Sequence, residues 1–464
     1  MRLASFDIFD TTLIRLFGRS ENIDVLLAGK EHSQGDALER QMEKDCLIAN
    51  PSVRELIRQK RQDGWQIAFI SDMYLDSAFL SEILMREGCF EPEDKIYVSC
   101  EHNARKDTGE LYDLVRNELH PDDWEHYGDN RQSDVRMAER KGIKAHLIDN
   151  SYRDLASRFV APAYLPYVLW ILDEAKKQGF HRLYFISRDG YILQKIAEAL
   201  PPEGIELKYF FISRNALQRT FENEEDHHLT IQYFRQEGLM DDCRSAMVDV
   251  GWQGTSRKMI NELLIEQGAK PVHFFYFGTT RSVLSPDFGS YQPFLESGYL
   301  PYYMQLLVEH YFSASPYPTT ISYQKSNDDL VVPVFPEGEK FHETKIMKTN
   351  IEVCLQMVEA FSKEGTPSVL RQWAEDRLST LAYRFFFADF SPLMDLPKFD
   401  GQDFVRPLTL KEILLMTMTG EHITVFDKGS LAMTFKHLRV QQLLWKLHCK
   451  TGQLRSWLYQ LSKR

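Results

Sequence analysis

The sequence predicts an α/β protein: a Rossmann-like domain with a small helical cap, a second α/β domain, and a mainly helical C-terminal region. Three observations carry that reading. Short apolar runs of strand type recur between stretches of helical periodicity; polar residues gather where those runs end; and from Asn350 the strand runs give way to helical spacing. Open parallel α/β sheets bind ligands in the crevice outside the carboxyl ends of their strands, so the run ends are where chemistry is expected.

Leu3 to Phe6 read as a short buried strand that delivers Asp7, and Ile8-Phe9-Asp10-Thr11-Thr12 follow as turn-forming and hydroxyl-bearing residues. Ser52 to Gln62 read as the helix before the second strand, Ile67 to Ile70, which delivers Ser71 and Asp72. Lys106 comes a few polar residues after Ile96-Tyr97-Val98 and precedes the helical stretch from Gly109 to Leu119. Trp124 to Tyr127 lead into Gly128-Asp129-Asn130, with Asp134 beyond at the start of another helical pattern. Alone, an aspartate after a strand is most often a cap or turn residue. In this order the residues form the set that phosphoryl transfer requires: a carboxylate to attack phosphorus, a hydroxyl and an ammonium to hold phosphoryl oxygens, and acids to hold a hard cation.

By these four motifs, roughly the first third of the chain resembles the haloacid dehalogenase-like superfamily. The resemblance implies a Mg²⁺-dependent phosphohydrolase or phosphotransferase acting through an aspartyl-phosphate on a small phosphorylated metabolite, such as a sugar phosphate. It makes Asp7 the nucleophile, Ser71 the phosphate-binding hydroxyl with Asp72 beside it, and Lys106 the stabilising cation. The Mg²⁺ site it implies consists of Asp7, the backbone carbonyl of Phe9, Asp129 and Asp134. One position departs from the pattern. Phosphatases of this superfamily usually carry a second Asp, the general acid, two residues after the nucleophile, where this chain has Phe9. An aromatic there resembles the metal-free dehalogenase branch, which would leave Asp129 and Asp134 without a task. Asp10 is a substitute acid only if it reaches the same place. On an extended chain neighbouring side chains point to opposite sides, so Asp10 is expected instead to cap the following turn.

Composition bounds the rest. A chain of 464 residues with 43% hydrophobic content can build two or three ordinary cores. A net charge of −12 argues against nucleic acid as a partner. The six cysteines, Cys46, Cys89, Cys100, Cys243, Cys354 and Cys449, show no paired metal-ligand spacing and fit a reduced cytoplasm. Met1 to Leu13 lack a positively charged stretch followed by an apolar core, so no secretory signal is expected. Cytoplasmic placement follows as the expectation.

The first domain is expected over residues 1–150, with its cap at about 15–50. A second α/β domain is expected over 159–335, with strands at Arg182 to Ile186, Leu207 to Ile212, Ala246 to Val250 and His273 to Phe277. Its strand ends carry Ser187-Arg188-Asp189-Gly190, Ser213-Arg214-Asn215 and the run from Asp249 to Ser256. Gly254 and Thr255, at the start of a helix, offer backbone N–H groups to an anion, and Arg188 and Arg214 suit phosphate. The same arginines would equally serve to pair Asp189 and Asp249 and fix the loops. His227 and His228, after three acids, read as a solvated loop. Glu309-His310 stand in an aromatic-rich stretch that suits either a sugar-stacking wall or a core. Segments such as Phe185 to Gly190 and Val248 to Gly254 resemble a group of bacterial proteins that join a dehalogenase-like domain to a C-terminal extension and are associated with capsule or lipopolysaccharide biosynthesis. In the helical region, 340–464, residues 434–464 are basic and amphipathic. They suit either peripheral contact with an anionic membrane surface or packing against a helical bundle. A competing reading of the whole makes the first domain a binding or scaffold module and assigns transfer in glycan assembly to the second.

Overall fold

The computed structural model describes residues 1–15, 40–41, 43–44, 47–200, 204–280, 283–295 and 308–362. The chain divides into two compact units, Met1–Arg158 and Phe159–Arg464. Most of the expected cap and nearly all of the C-terminal helical region, including 434–464, lie outside the described residues.

In the first unit β1 (Arg2–Phe6) is followed by a small antiparallel pair, β2 (Leu13–Arg15) and β3 (Leu47–Ala49). β4 (Gln66–Ser71), β5 (Lys95–Val98), β6 (Asp123–Gly128) and β7 (Lys144–Leu147) complete a parallel sheet in the order β5-β4-β1-β6-β7. Successive residues of the inner strands feed opposite faces: Leu3, Ala68 and Ile70 join one core, Ala4, Phe6 and Phe69 the other. That two-sided burial is why these strands are apolar almost throughout. The helix Pro51–Gln62 begins with proline at its first position, buries Val53 and Ile57, and carries Lys60 and Arg61 in its last turn. β6 looks polar yet is buried, because Lys60 and Lys144 hold the Glu125 carboxylate and Tyr127 donates to it. Numbered by chain order, the sheet reads 3-2-1-4-5, which places the topological switch point between β1 and β6.

The second unit holds another parallel sheet: β8 (Arg182–Ile186), β9 (Glu206–Phe210), β10 (Ser245–Trp252), β11 (His273–Thr279) and β12 (Tyr291–Pro293), in the order β12-β11-β10-β8-β9. Its strand order is 2-1-3-4-5, with the switch point between β8 and β10. A hairpin, β13 (Ser322–Lys325) and β14 (Val331–Val334), and the helix Lys345–Ser362 belong to the same unit. His227 and His228 lie in the helix Glu224–Gln236, not in a loop, because Asn223 accepts from the N–H groups of Glu225 and Asp226 and caps it. Among the described residues no helix is long and apolar enough to cross a membrane.

Candidate active site

Asp7 leaves β1 and Asp129 leaves β6, the two strands that flank the switch point. The Asp7 N–H donates to Tyr127 O at 2.8 Å, so the sheet ladder continues up to the residue that carries the carboxylate. Beyond it the backbone turns sharply. Thr12 Oγ1 donates to Asp7 O at 2.6 Å, Leu13 N to Ile8 O at 2.7 Å, and Asp10 has φ 54°. Ser71 ends β4 and is buried. Asp72 accepts from the backbone N–H of Lys106 at 2.8 Å and of Asp107 at 3.3 Å, and so positions the loop that presents the Lys106 side chain.

These residues converge on one cavity of about 450 Å³, lined among others by Asp7, Phe9, Asp10, Ser71, Asp72, Lys106, Asp129 and Asp134. One oxygen from each of Asp7, Asp129 and Asp134 lies within 4.8 Å of the others. Lys106 Nζ donates to Asp134 Oδ1 at 2.7 Å and to Asp7 Oδ1. Burial disfavours the Lys106 charge, but Asp7 and Asp134 hold its pKa well above the usual lysine value. The site therefore gathers three carboxylates around one ammonium. Burial pushes the Asp7 carboxyl up to about 7 against the pull of Lys106. Burial, reinforced by Asp7, Asp10 and Asp134, pushes Asp129 up to about 8. Asp134 goes the other way: burial would raise it, but Lys106 and then His126 hold it well below the usual carboxylate range.

Three all-oxygen donors with surplus negative charge suit a hard divalent cation. With their oxygens within 4.8 Å of one another, all three carboxylates are within reach of a single such ion. Asp134 is fixed from several sides: Asn130 N donates to its Oδ2 at 3.0 Å, and Ser133 Oγ to its Oδ1 at 3.3 Å. His126, fully buried on β6, brings Nε2 to 3.5 Å from Asp134 Oδ1. Trp124 Nε1 donates to Ser5 Oγ, which stands 2.8 Å from His126 Nδ1. Because the Asp134 carboxylate only accepts, the His126 ring proton is assigned to Nε2, which leaves Nδ1 to accept from Ser5 Oγ. Thr11 Oγ1 donates to Asp129 Oδ1 at 3.4 Å. Sequence reasoning gave Ser5 and His126 no role at the site and read Thr11 only as one of the hydroxyl-bearing residues of the turn after Asp7.

The expectation for Asp10 needs correction. It assumed extended backbone, whereas residues 7–12 form a turn, and Asp10 lines the same cavity as Asp7 and Asp129. Phe9 has a different task. Its ring lies 4.7 Å beneath the Arg15 guanidinium, which grips Glu43 through Nε at 2.9 Å and Nη2 at 2.6 Å and stands 3.7 Å from Asp10 Oδ1.

In the second unit Arg188 and Asp189 follow β8, and Arg214 opens the helix Arg214–Glu222 after β9. Gly254, with φ 83°, precedes the helix Thr255–Glu266, whose N-terminus has no side-chain cap. Gly254 and Thr255 thus sit beside Tyr276 and Arg257, while Arg188 and Arg214 face the carboxyls of Asp189 and Glu309.

No family model matches the chain, and no curated protein does. Among solved structures, the HAD-hydrolase YfnB from Bacillus subtilis, described as bound to magnesium, is similar at a TM-score of 0.25 and 17% sequence identity, over 32% of this chain and 89% of its own.

Proposed function

We propose that the first unit is a Mg²⁺-dependent phosphohydrolase or phosphotransferase of the haloacid dehalogenase type, acting on a small phosphorylated metabolite such as a sugar phosphate. The observation that carries it is the meeting of Asp7, Asp129 and Asp134 at the switch-point crevice, with Lys106 bridging the first and last. A bound Mg²⁺ supplies positive charge that neutralises the phosphoryl oxygens. Asp7 attacks phosphorus; its Oδ–P bond forms as the P–O bond to the leaving group breaks. Lys106 and Ser71 hold the phosphoryl oxygens. Asp10, which lines the cavity where Phe9 offers no proton, protonates the departing alkoxide and then takes a proton from the water that hydrolyses the aspartyl-phosphate. The link to surface-glycan biosynthesis belongs to the same proposal and rests on the sequence resemblance.

A second reading makes the first unit a binding module and gives transfer chemistry to the second. Phe9 at the usual acid position favours it. The two readings part on one experiment: a panel of sugar phosphates and other phosphorylated metabolites, with and without Mg²⁺, against wild type and Asp7→Asn. Mg²⁺-dependent phosphate release that falls by about 10³-fold or more in Asp7→Asn is the expected result. A wild-type rate in Asp7→Asn would discard the aspartyl-phosphate mechanism.

A further inference from the structure

The second sheet ends in a cluster with no part in that mechanism. Its switch point lies between β8 and β10, the two strands whose ends carry Arg188-Asp189 and Asp249 to Gly254. We propose that this edge is a ligand site of its own for a phosphorylated sugar, with Arg188 and Arg214 taking the phosphate and Asp189, Asp249 and Glu309 taking sugar hydroxyls.

Buried acids that serve only the fold are matched. Glu43 is held by Arg15, and Glu125 by Lys60 and Lys144. Among the described residues, no ion pair is closed by Asp189, Asp249 or Glu309, although Asp189 opens the helix Gly190–Ala199, Asp249 lies in β10 just past its pairing with β8, and Asp249 is only 9% exposed. Placing three such carboxyls together costs free energy that a purely structural role would avoid. Burial raises all three; Glu309 adds to it for Asp249, which reaches about 7, and Glu309 and Asp249 add to it for Asp189, which stands well above its usual value, while Arg214 and Arg188 pull Glu309 back down. Carboxyls in that state both donate to and accept from hydroxyl groups.

Two further polar atoms point to an occupant. The indole Nε1 of Trp252 is buried and, among the described residues, is met only by the Glu309 carboxyl, outside ordinary hydrogen-bond geometry; the residue is 7% exposed. The hydroxyl of fully buried Tyr276 likewise finds no partner among the described residues. Tyr276 is the cross-strand partner of Asp249 and stands by Gly254, so the uncapped N-terminus of the 12-residue helix Thr255–Glu266 opens on the same crevice. Guanidinium donors interleaved with carboxyls, and an uncapped helix N-terminus beside Tyr276, match a ligand that joins phosphate to a polyol.

This inference stands apart from the hydrolase reading, and the test separates them. The full chain, kept in EDTA, is titrated by calorimetry and tryptophan fluorescence with glucose 1-phosphate, inorganic phosphate and glucose. Saturable binding of glucose 1-phosphate, tighter than either part alone, is expected. Arg214→Ala, at an exposed position that tolerates truncation, and Trp252→Phe, which keeps an aromatic ring and removes the N–H, are expected to weaken it by roughly tenfold or more, with Asp189→Asn doing the same. Circular dichroism verifies that each variant is folded. No saturable binding at millimolar concentration, equal affinity for inorganic phosphate, or binding that follows Asp7→Asn instead of Arg214→Ala overturns the proposal.

Discussion

Asp134 occupies the space where Gly128 has no side chain. A Cβ added to Gly128 would stand 2.4 Å from the Asp134 Cβ, Cγ and Oδ2, closer than real carbon atoms approach. The missing side chain lets the carboxylate fold back against the end of β6, where Lys106 and the Asn130 N–H meet it. Gly128→Ala is therefore expected to displace Asp134, to lower stability by about 1–3 kcal/mol, and to weaken Mg²⁺ binding. Denaturant midpoints and Mg²⁺ calorimetry check both; unchanged Mg²⁺ affinity in a folded variant would mean that Asp134 does not contribute to the cation site.

Stabilisation by Mg²⁺ should grow with pH. Asp7 and Asp129 are raised to about 7 and about 8, so their protonated forms favour the fold at low pH. That contribution is complete below their unfolded values near 3.8 and is lost as pH rises through 7 to 8, where two buried charges face each other. A divalent cation relieves that repulsion and must displace the protons to bind. The melting shift caused by Mg²⁺ is expected to be small near pH 6, larger near pH 8, and accompanied by proton release. A shift independent of pH contradicts the assignment.

Asp10 should matter in proportion to the basicity of the leaving group. Asp10→Asn is expected to slow hydrolysis of an alkyl phosphate such as a sugar phosphate by about 10²- to 10⁴-fold, and to affect p-nitrophenyl phosphate far less. Equal losses on both substrates would show that Asp10 does not transfer the proton.

Asp249→Asn separates stability from binding in the second unit. The Asp249 carboxyl is raised to about 7 by burial, then by Glu309. Its neutral form suits the fold, so its contribution is intact below about 3.8 and is lost as pH climbs through about 7. The amide variant should match wild type near pH 4 and exceed it near pH 8 in urea unfolding. Lower stability at both pH values would mean that the carboxyl is needed for packing.

Asp7 and Ser71 were legible in the sequence because each closes or follows an apolar run, and a buried parallel strand has few other ways to end; Lys106 and Asp129 were legible through their order after those two. The parallel α/β organisation was legible from the apolar runs themselves. Asp10 was misread because backbone geometry was inferred from the strand before it; the Thr12 hydroxyl on Asp7 O and the left-handed Asp10 show that the strand has already stopped. His126 could not be found by pattern, since β6 alternates aromatic and polar residues whose burial depends on Lys60 and Lys144, distant in sequence. Glu309 belongs beside Asp189 only through the tertiary fold. The hairpin of β13 and β14 was missed although Asn327-Asp328-Asp329 marks its turn, with Asp329 at φ 61°.

The β2 and β3 pairing sets Arg15 opposite Leu47, so the chain leaves and rejoins this unit at neighbouring points beside the cavity. A connection of different length could join those two points at little entropic cost and leave the sheet and the carboxylates where they are. Selectivity for a substrate could then change over evolutionary time while the reacting groups stay as they are.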